Sequence, residues 1–432
     1  MNPTFSESWR YWLKLGCISF GGPAGQIAIM HEEVVVRRKW VDDARFLHAW
    51  SFCTLLPGPE AQQLAIYLGW LLHGTWGGIV AGTLFVLPAA LLLWLLSWVY
   101  VTWGSVGWVA SVFSGLNMAV VAIVVMAVWK IGGKALSSRG RWALAVAAFV
   151  ALFFLKIPFP AVIAVAALAG WAFPGQFLQA LKSGDPVLVE ATARPTWAGS
   201  LRVLAIWLAL WWVPVGMLAW WLGSGHVLVQ EGVFFSKTAV VTFGGAYAVL
   251  PYVAQQSVDF GWVNQKQMLD GLGLAESTPG PLIMVLQFVG FLGAWADPGR
   301  LSPLLAATLG AFITTWVTFV PCFLWILLGV PYVESLRQNR AISAVLGAIN
   351  AAVVGVVLNL AVWFAGEVLL PVAGKGVQVG QVATGWGSRA LDVFALAVVL
   401  ALCVAMVHWK WPVTRVVLAG ASAGLVWRWI GL

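Results

Sequence analysis

Glycines and prolines interrupt two apolar stretches near the amino terminus of this 432-residue sequence. One stretch reads "SFGGPAG" and contains Gly21 and Gly22, and the other reads "LLPGPE" and contains Pro57, Gly58 and Pro59. Glycine tolerates positive φ and lets the backbone approach a ligand closely, whereas proline suits the first turn of a new helix. A helix that restarts after such a break points unpaired N–H groups and the positive end of its dipole at the break. These residue types in this order therefore predict an anion-binding site.

Both breaks recur in the second half of the chain. "TFGGA" contains Gly244 and Gly245, and "STPGPL" contains Pro279, Gly280 and Pro281. Three further segments match in the same order, about 222 to 234 residues apart: "WV" at 40 and 262, "FVLP" with "TFVP", and "NMAVVAIVVMAVW" with "NAAVVGVVLNLAVW". Matched breaks in inverted-repeat transporters form the substrate site near the middle of the membrane. The alternative is that glycine and proline only permit tight helix packing.

Polar side chains near the breaks are candidates to bind substrate beside the backbone. The candidates are Ser19, Gln62, Asn117, Thr242, Ser277, Thr278 and Asn350. Hydroxyl and amide groups donate hydrogen bonds, which suits an oxyanion. The two asparagines match between the halves, and the alternative for them is that they hold helices together.

Carboxylates near the breaks are candidates for proton coupling. Glu60 directly follows the first Pro-Gly-Pro, and Glu276 precedes the second. Burial raises the pKa of a carboxyl group in general, so such a group can load and release a proton near neutral pH. Glu32 is a third candidate, and its alternative is a solvated ion pair with Arg37 or Arg38.

Two lysines match between the halves, each six residues before a Phe-Gly-Gly segment. Lys14 and Lys237 are candidates to balance the charge of a bound anion. A lysine near the end of a membrane helix also snorkels to the interface, and the sequence leaves both readings open.

The composition predicts an all-α polytopic membrane protein that holds these residues in place. The chain is 61% hydrophobic and 9% charged, with a mean hydropathy of +0.90. Apolar runs exceed the roughly 20 residues that cross a bilayer. The net charge of +8 is interpreted as cytoplasmic loop charge rather than a nucleic-acid surface. The four cysteines stand singly and predict neither a disulfide nor a metal site.

Three parts of the chain follow from the repeat. Residues 1–175 form the first repeat, residues 176–232 a polar connector with one orienting span, and residues 233–432 the second repeat. The extra span turns the second half upside down if each half crosses the membrane an even number of times. Predicted spans lie near 77–101, 106–129, 143–156, 159–173, 203–223, 303–329, 342–366, 390–408 and 413–430. If the broken segments enter and return on one side, the basic clusters share one face, which the positive-inside rule makes cytoplasmic together with the amino terminus.

The segments "SFGGPAGQIAIMHEEVV", "LLPGPEAQQLAIYLGW" and "ESTPGPLIMVLQFVGF" resemble the chromate ion transporter family in its long-chain, two-domain form. The resemblance covers about residues 8–430. It implies an inner-membrane protein of bacteria that exports chromate, driven by the proton motive force, and confers chromate resistance. It also implies sulfate, another tetrahedral dianion, as a competitor. Positions that match the family's motifs are Phe20 to Pro23, Pro57 to Glu60, Phe243 to Gly245 and Pro279 to Pro281, although Ala246 stands where the first half has Pro23.

Other classes of function remain as alternatives. The same fold also suits uptake, a different oxyanion such as sulfate, or an anion channel. An enzyme is not expected, because the sequence lacks HExxH and GxxxxGK[ST] motifs. No cofactor or metal is expected either. The expected partners are chromate, protons and the lipid bilayer, with no nucleic acid, and a homodimer stays open.

Overall fold

The computed structural model describes residues 3–20, 22–104, 106–178, 197–243, 245–330, 340–370, 381–383 and 390–429. In the first half the helices are α1 (Phe5–Ile18), α2 (Gly22–His31), α3 (Asp43–Cys53), α4 (Glu60–Trp103), α5 (Gly107–Ala135), α6 (Arg139–Phe153), α7 (Phe159–Ala172) and the short α8 (Pro174–Phe177). A π-helical turn, Glu32–Arg37, continues α2.

The connector helix α9 (Trp197–Leu222) leads into the second half. There the helices are α10 (Val227–Val241), α11 (Ala246–Asp259), α12 (Gln265–Ser277), a 3-10 turn (Leu282–Met284), α13 (Val285–Ala296), α14 (Pro303–Gly329), α15 (Arg340–Leu369), α16 (Val393–His408) and α17 (Val413–Trp429). Two short strands, Gln381–Ala383 and Ala390–Asp392, pair antiparallel before α16.

Helix α4 is a hairpin of two helices rather than one 44-residue rod. Its backbone leaves the helical region at His73 (φ −142°) and Gly74 (φ 62°). We name the two parts α4a (residues 60–72) and α4b (residues 75–103). They pack so closely that a Cβ on Gly69 would overlap the carbonyl oxygen of Gly77. Helices α13 and α14 form the same hairpin in the second half, with Gly290 against Gly310.

The two breaks of the first half sit at the tips of re-entrant hairpins. The guanidinium of Arg38, after α2, lies 5.4 Å from the ring centroid of Tyr11 in α1. The chain therefore returns to the face from which α1 starts. The His73 ring, at the end of α4a, lies 5.4 Å from that of Phe5 at the start of α1, so α3 and α4a also enter and leave at this face. In the second half, Trp262 returns beside Phe234 of α10 in the same way, with their ring centroids 5.5 Å apart.

The equivalent helices α4b and α14 run antiparallel, as inverted halves require. Near one end of the pair, a Cβ on Gly82 would lie 2.8 Å from the ring of Phe323. Near the other end, the indole N–H of Trp94 donates to the hydroxyl of Thr308 over 3.1 Å. This arrangement confirms the predicted fold class, an all-α membrane protein with inverted halves and interrupted, re-entrant helices.

The halves interlock through their later helices. Helix α5 of the first half packs against α16 and α17 of the second, and α15 packs against α6 and α7 in return. Glycines allow these close crossings, because a Cβ on Gly115 would overlap the backbone of Gly420. The contact surface between the halves is therefore part of the buried core of the protein.

Helix α9 lies on the outside of the second half. Its Trp207 stacks on Phe323 of α14 with ring centroids 5.1 Å apart, and its Trp211 donates to the hydroxyl of Ser236 in α10 over 3.0 Å. The face of α9 that points away from the second half is exposed, and its Trp220 side chain is 89% accessible. Five of the described helices, counting α4 as one, are long and apolar enough to cross a membrane, and α9 is among them. Exposed tryptophan on such a helix belongs in lipid.

Candidate functional site

The predicted breaks of the two halves meet each other at the centre of the protein. The N–H of Gly58 donates to the carbonyl oxygen of Thr242 over 2.7 Å. Reciprocally, the N–H of Gly280 donates to the carbonyl oxygen of Ser19 over 2.8 Å. Each Pro-Gly-Pro loop thus bonds to the residue that precedes Phe-Gly-Gly in the opposite half. We call this arrangement the central junction.

The sequence alone suggested free amide donors at the two loops. In the structure, however, the N–H groups of Gly58 and Gly280 are already bonded across the central junction. Pro59 and Pro281 have no N–H. The first donor within α4a is Gln63, which bonds to the carbonyl of Pro59 over 3.1 Å. The N–H groups of residues 60–62 precede it and have no partner within the helix by their position. The same holds for residues 282 and 283, since Met284 bonds to the carbonyl of Pro281 over 2.9 Å.

Backbone geometry explains why glycine stands at the tip of each loop. Gly58 has φ 119° and Gly280 has φ 118°, values that strain any residue with a Cβ. Both glycines are also covered from the opposite half, Gly58 by the thiol of Cys322 at 2.9 Å from an ideal Cβ, and Gly280 by the methyl of Ala89. Gly22 and Gly245 have positive φ too, at 70° and 88°.

Glutamine side chains fasten the central junction. The amide nitrogen of Gln26 donates to the carbonyl of Gly280 over 2.6 Å and to that of Ser19 over 3.3 Å. The amide nitrogen of Gln63 donates to the carbonyl of Pro57 over 2.7 Å. Gln62, the candidate from sequence, is buried beside it, and no described residue donates a hydrogen bond to its amide oxygen.

Most hydroxyls near the breaks already donate their proton within their own helix. The hydroxyls of Thr242, Ser277 and Thr278 donate to the carbonyls of Thr238, Leu274 and Ala275, at 2.6, 2.8 and 3.2 Å. Each has one proton, so in this conformation these side chains can only accept. Ser19 differs, because its hydroxyl is fully buried and has no hydrogen-bond partner among the described residues. Among the hydroxyl candidates, Ser19 is therefore the one with a proton to offer a ligand.

Glu60 and Glu276 both lie beside the second-half break of the central junction, in different settings. A Cβ on Gly245 of the second half would lie 4.0 Å from a carboxyl oxygen of Glu60, so Glu60 faces the opposite Phe-Gly-Gly break. Glu276 is 5% exposed, and it accepts a hydrogen bond of 2.6 Å from the hydroxyl of Tyr247, in the first turn of α11. No salt bridge is formed by either carboxylate within the described part of the chain.

Other candidate residues lie away from the junction. Glu32 pairs with Arg37 at the protein surface, with an oxygen–nitrogen distance of 3.2 Å, which is the alternative given by the sequence. Lys14 and Lys237 are both exposed. Asn350 is half-buried in α15. Gly21 and Gly244 lie outside the described residues.

Asn117 belongs to a second polar cluster, which the sequence reading missed. Its amide nitrogen donates to the carboxylate of Asp270 in α12 over 2.8 Å, and the hydroxyl of Tyr100 donates to the other oxygen over 2.7 Å. Asp270 is 1% exposed. The only signal for it in the sequence is a single aspartate in an otherwise uncharged stretch, "MLDGLGLA". Gln26 was missed for the same reason, since one amide in an apolar segment has no pattern.

The inverted halves and the matched helix breaks define a membrane protein of the transporter type, with its junction at the middle of the two halves. The chromate transporter family model matches residues 7–171 and 229–425, which fall on the two halves. The chain belongs to the chromate transporter family.

Individual relatives agree with this assignment. A chromate transport protein of Cupriavidus metallidurans is 29% identical over 362 residues, 82% of this chain and 81% of the relative. A chromate transport protein of Pseudomonas aeruginosa is 31% identical over 362 residues, 82% of this chain and 79% of the relative. The transporter YwrB of Bacillus subtilis is 30% identical over 153 residues, 35% of this chain but 77% of the relative. No solved structure matches the chain.

Proposed function

We propose that the protein carries chromate out of the cell across the inner membrane, driven by the proton motive force, and binds it at the central junction. Family membership supports chromate transport across a membrane. The observation that carries the location of the site is the pair of reciprocal hydrogen bonds between the broken segments of the two halves. Because each half accepts a hydrogen bond from the Pro-Gly-Pro loop of the other, a movement of one half against the other must break and re-form both hydrogen bonds together.

The donors for the anion are backbone amides and one hydroxyl. The N–H groups at the starts of α4a and of the 3-10 turn before α13 are unpaired within their helices, and helix starts attract anions. Ser19 supplies a buried hydroxyl at the junction, because its own carbonyl oxygen accepts the hydrogen bond from the N–H of Gly280. Gln62 and the other polar residues near the breaks complete the candidate lining.

Proton coupling is assigned to Glu60 and Glu276. An ionised Glu60 beside the opposite Phe-Gly-Gly break would repel a dianion, so chromate binding and protonation of this carboxyl favour each other. Glu276 is held by Tyr247, whose helix starts at the same break. The protonation of both carboxyl groups therefore depends on whether chromate occupies the central junction.

Charge on the protein surface supports the orientation. The segment Arg37–Lys39, the carboxyl end of α5 with Lys130 and Lys134, and the start of α9 with Arg202 lie on the face from which α1 starts, as the helix order dictates. Positive loops stay in the cytoplasm. We therefore place the amino terminus inside.

Flux in reconstituted vesicles tests the proposal. Purified protein is placed in vesicles with an imposed proton gradient, and movement of chromate is followed with and without an uncoupler. We expect uphill chromate movement that the uncoupler abolishes and that excess sulfate reduces. Sulfate movement at an equal rate would make sulfate the natural substrate. Chromate flux that ignores the proton gradient and follows only its own gradient would instead favour a channel.

A further inference from the structure

A cavity of about 350 Å³ lies where α4b ends and α12 begins. Its walls include Tyr100, Gly104, Asn264, Lys266, Asp270 and Trp295. The α4–α5 turn and the α11–α12 loop border it, and both lie at the membrane face opposite to Arg37–Lys39. The proposed function uses no residue of this cavity.

Asp270 closes the inner end of the cavity and is held by helices of the first half. Its carboxylate accepts one hydrogen bond at each oxygen, from Asn117 of α5 and from Tyr100 of α4b. The remaining polar atom of this cluster is the side-chain oxygen of Asn117, which is buried and accepts no hydrogen bond from the part of the chain that the structure describes. A buried acceptor without a donor points to a proton that arrives in another state of the site.

The two partners of Asp270 can serve the carboxyl group in both of its protonation states. A half-turn of the Asn117 amide places its oxygen where its nitrogen now lies, so the same side chain donates to a carboxylate or accepts from a carboxylic acid. The hydroxyl of Tyr100 can likewise donate or accept. Neither state leaves the carboxyl group without hydrogen bonds, which removes the main penalty of reversible protonation in a buried site.

Few charges face this cluster. Lys266, one turn before Asp270 on α12, is the charged group that acts on it among the described residues. Helix α4b presents Tyr100, α5 presents Asn117 and α13 presents Trp295. Helix α17 carries Arg428, which lies beside Gly107 at the start of α5. No second carboxylate of the described residues contacts this cluster, so we treat Asp270 as a single proton site.

We propose that Asp270 takes up a proton from water in this cavity, at the outer face, and gives it up when chromate binds, with Asn117 and Tyr100 bonded to it in both states. The proton moves from water to a carboxyl oxygen and back, and no other bond changes. This inference rests on the proposed function, because it names an outer proton site for the same proton-coupled transport.

Proton release on chromate binding tests the inference. Purified protein in weakly buffered detergent solution is titrated with chromate at a pH where free chromate is fully ionised. A pH indicator counts released protons, and tryptophan fluorescence follows binding. For Asp270→Asn we expect retained binding and about one proton fewer per bound chromate. The control Asp259→Asn removes an exposed carboxylate at the end of α11 and is expected to behave like the wild type.

A second variant separates a proton site from a merely structural aspartate. Tyr100→Phe keeps the carboxyl but removes a hydrogen bond to its ionised form, so the midpoint of proton release is expected to rise by about one to two pH units. An unchanged midpoint, or full proton release by Asp270→Asn, would overturn the inference while leaving the proposed function intact. If neither the wild type nor Asp270→Asn changes its number of bound protons when chromate binds, the coupling in the proposed function is itself wrong.

Discussion

Gly280→Ala tests whether the tip of the second Pro-Gly-Pro loop is as tightly confined as the structure shows. The new methyl meets two obstacles. The φ of 118° costs about 1–3 kcal/mol for a residue with a Cβ, and the overlap with the methyl of Ala89 costs about 1–3 kcal/mol more. We therefore expect Gly280→Ala to lower the free energy of unfolding by about 2–6 kcal/mol.

The two obstacles can be measured separately, because only one of them depends on Ala89. Ala89→Gly alone is expected to cost about 1 kcal/mol, as glycine does within a helix. In the double variant the overlap disappears while the strained φ remains. The double-mutant cycle should therefore show a favourable coupling of about 1–3 kcal/mol.

Thermal unfolding in detergent and chromate flux in vesicles are the assays. The control is Gly133→Ala in α5, where an added Cβ would meet nothing within 4 Å, so its stability should equal that of the wild type or exceed it by up to about 1 kcal/mol. Strict additivity of the two substitutions would refute the contact between Gly280 and Ala89. Wild-type stability of Gly280→Ala would refute the loop conformation itself.

Three further predictions concern side chains at or near the junction. Glu60→Gln should preserve folding but flatten the pH dependence of chromate flux, because the amide needs no proton; an unchanged pH profile would remove Glu60 from coupling. Gln26→Leu should lower stability by about 1–3 kcal/mol by leaving the carbonyl of Gly280 unpaired, whereas the exposed Gln230→Leu should change it by less than about 0.5 kcal/mol; equal losses would contradict this. Glu231 is fully buried in α10, and neither carboxyl oxygen has a hydrogen-bond partner among the described residues. Glu231→Gln should therefore stabilise the protein increasingly as pH rises, and an equal stability difference at every pH would speak against this.

The spans were largely predictable because hydropathy is a local property. The predicted span 303–329 coincides with α14, and 159–173 and 413–430 differ from α7 and α17 by one residue. The exception is α4, where the span predicted from residue 77 is preceded by α4a. Here the turn at His73-Gly74 has no proline and little polar sequence to reveal it.

The residues of the breaks were predictable, but their partners were not. Matched Phe-Gly-Gly and Pro-Gly-Pro segments located the breaks, since glycine and proline have backbone consequences of their own. That the amide of Gly58 would bond to Thr242 in the opposite half depends on how the halves are rotated about each other, which no local pattern encodes. A further repeat went unnoticed for its low identity: Lys156 and Lys410 each precede a residue and then a proline, and share φ values of 50° and 51°.

The crossed bonds of the central junction also bear on what one half can do by itself. A polypeptide with a single half would present a Gly58 amide and a Ser19 carbonyl with nothing opposite, deep inside a lipid bilayer, where unpaired backbone groups are expensive. In such a chain these backbone groups are paired only when a second copy or a homologous half inserts beside it in the opposite orientation. In the present protein the connector with α9 links the two inverted halves covalently. The effective concentration of one half near the other is therefore higher than two free subunits would reach.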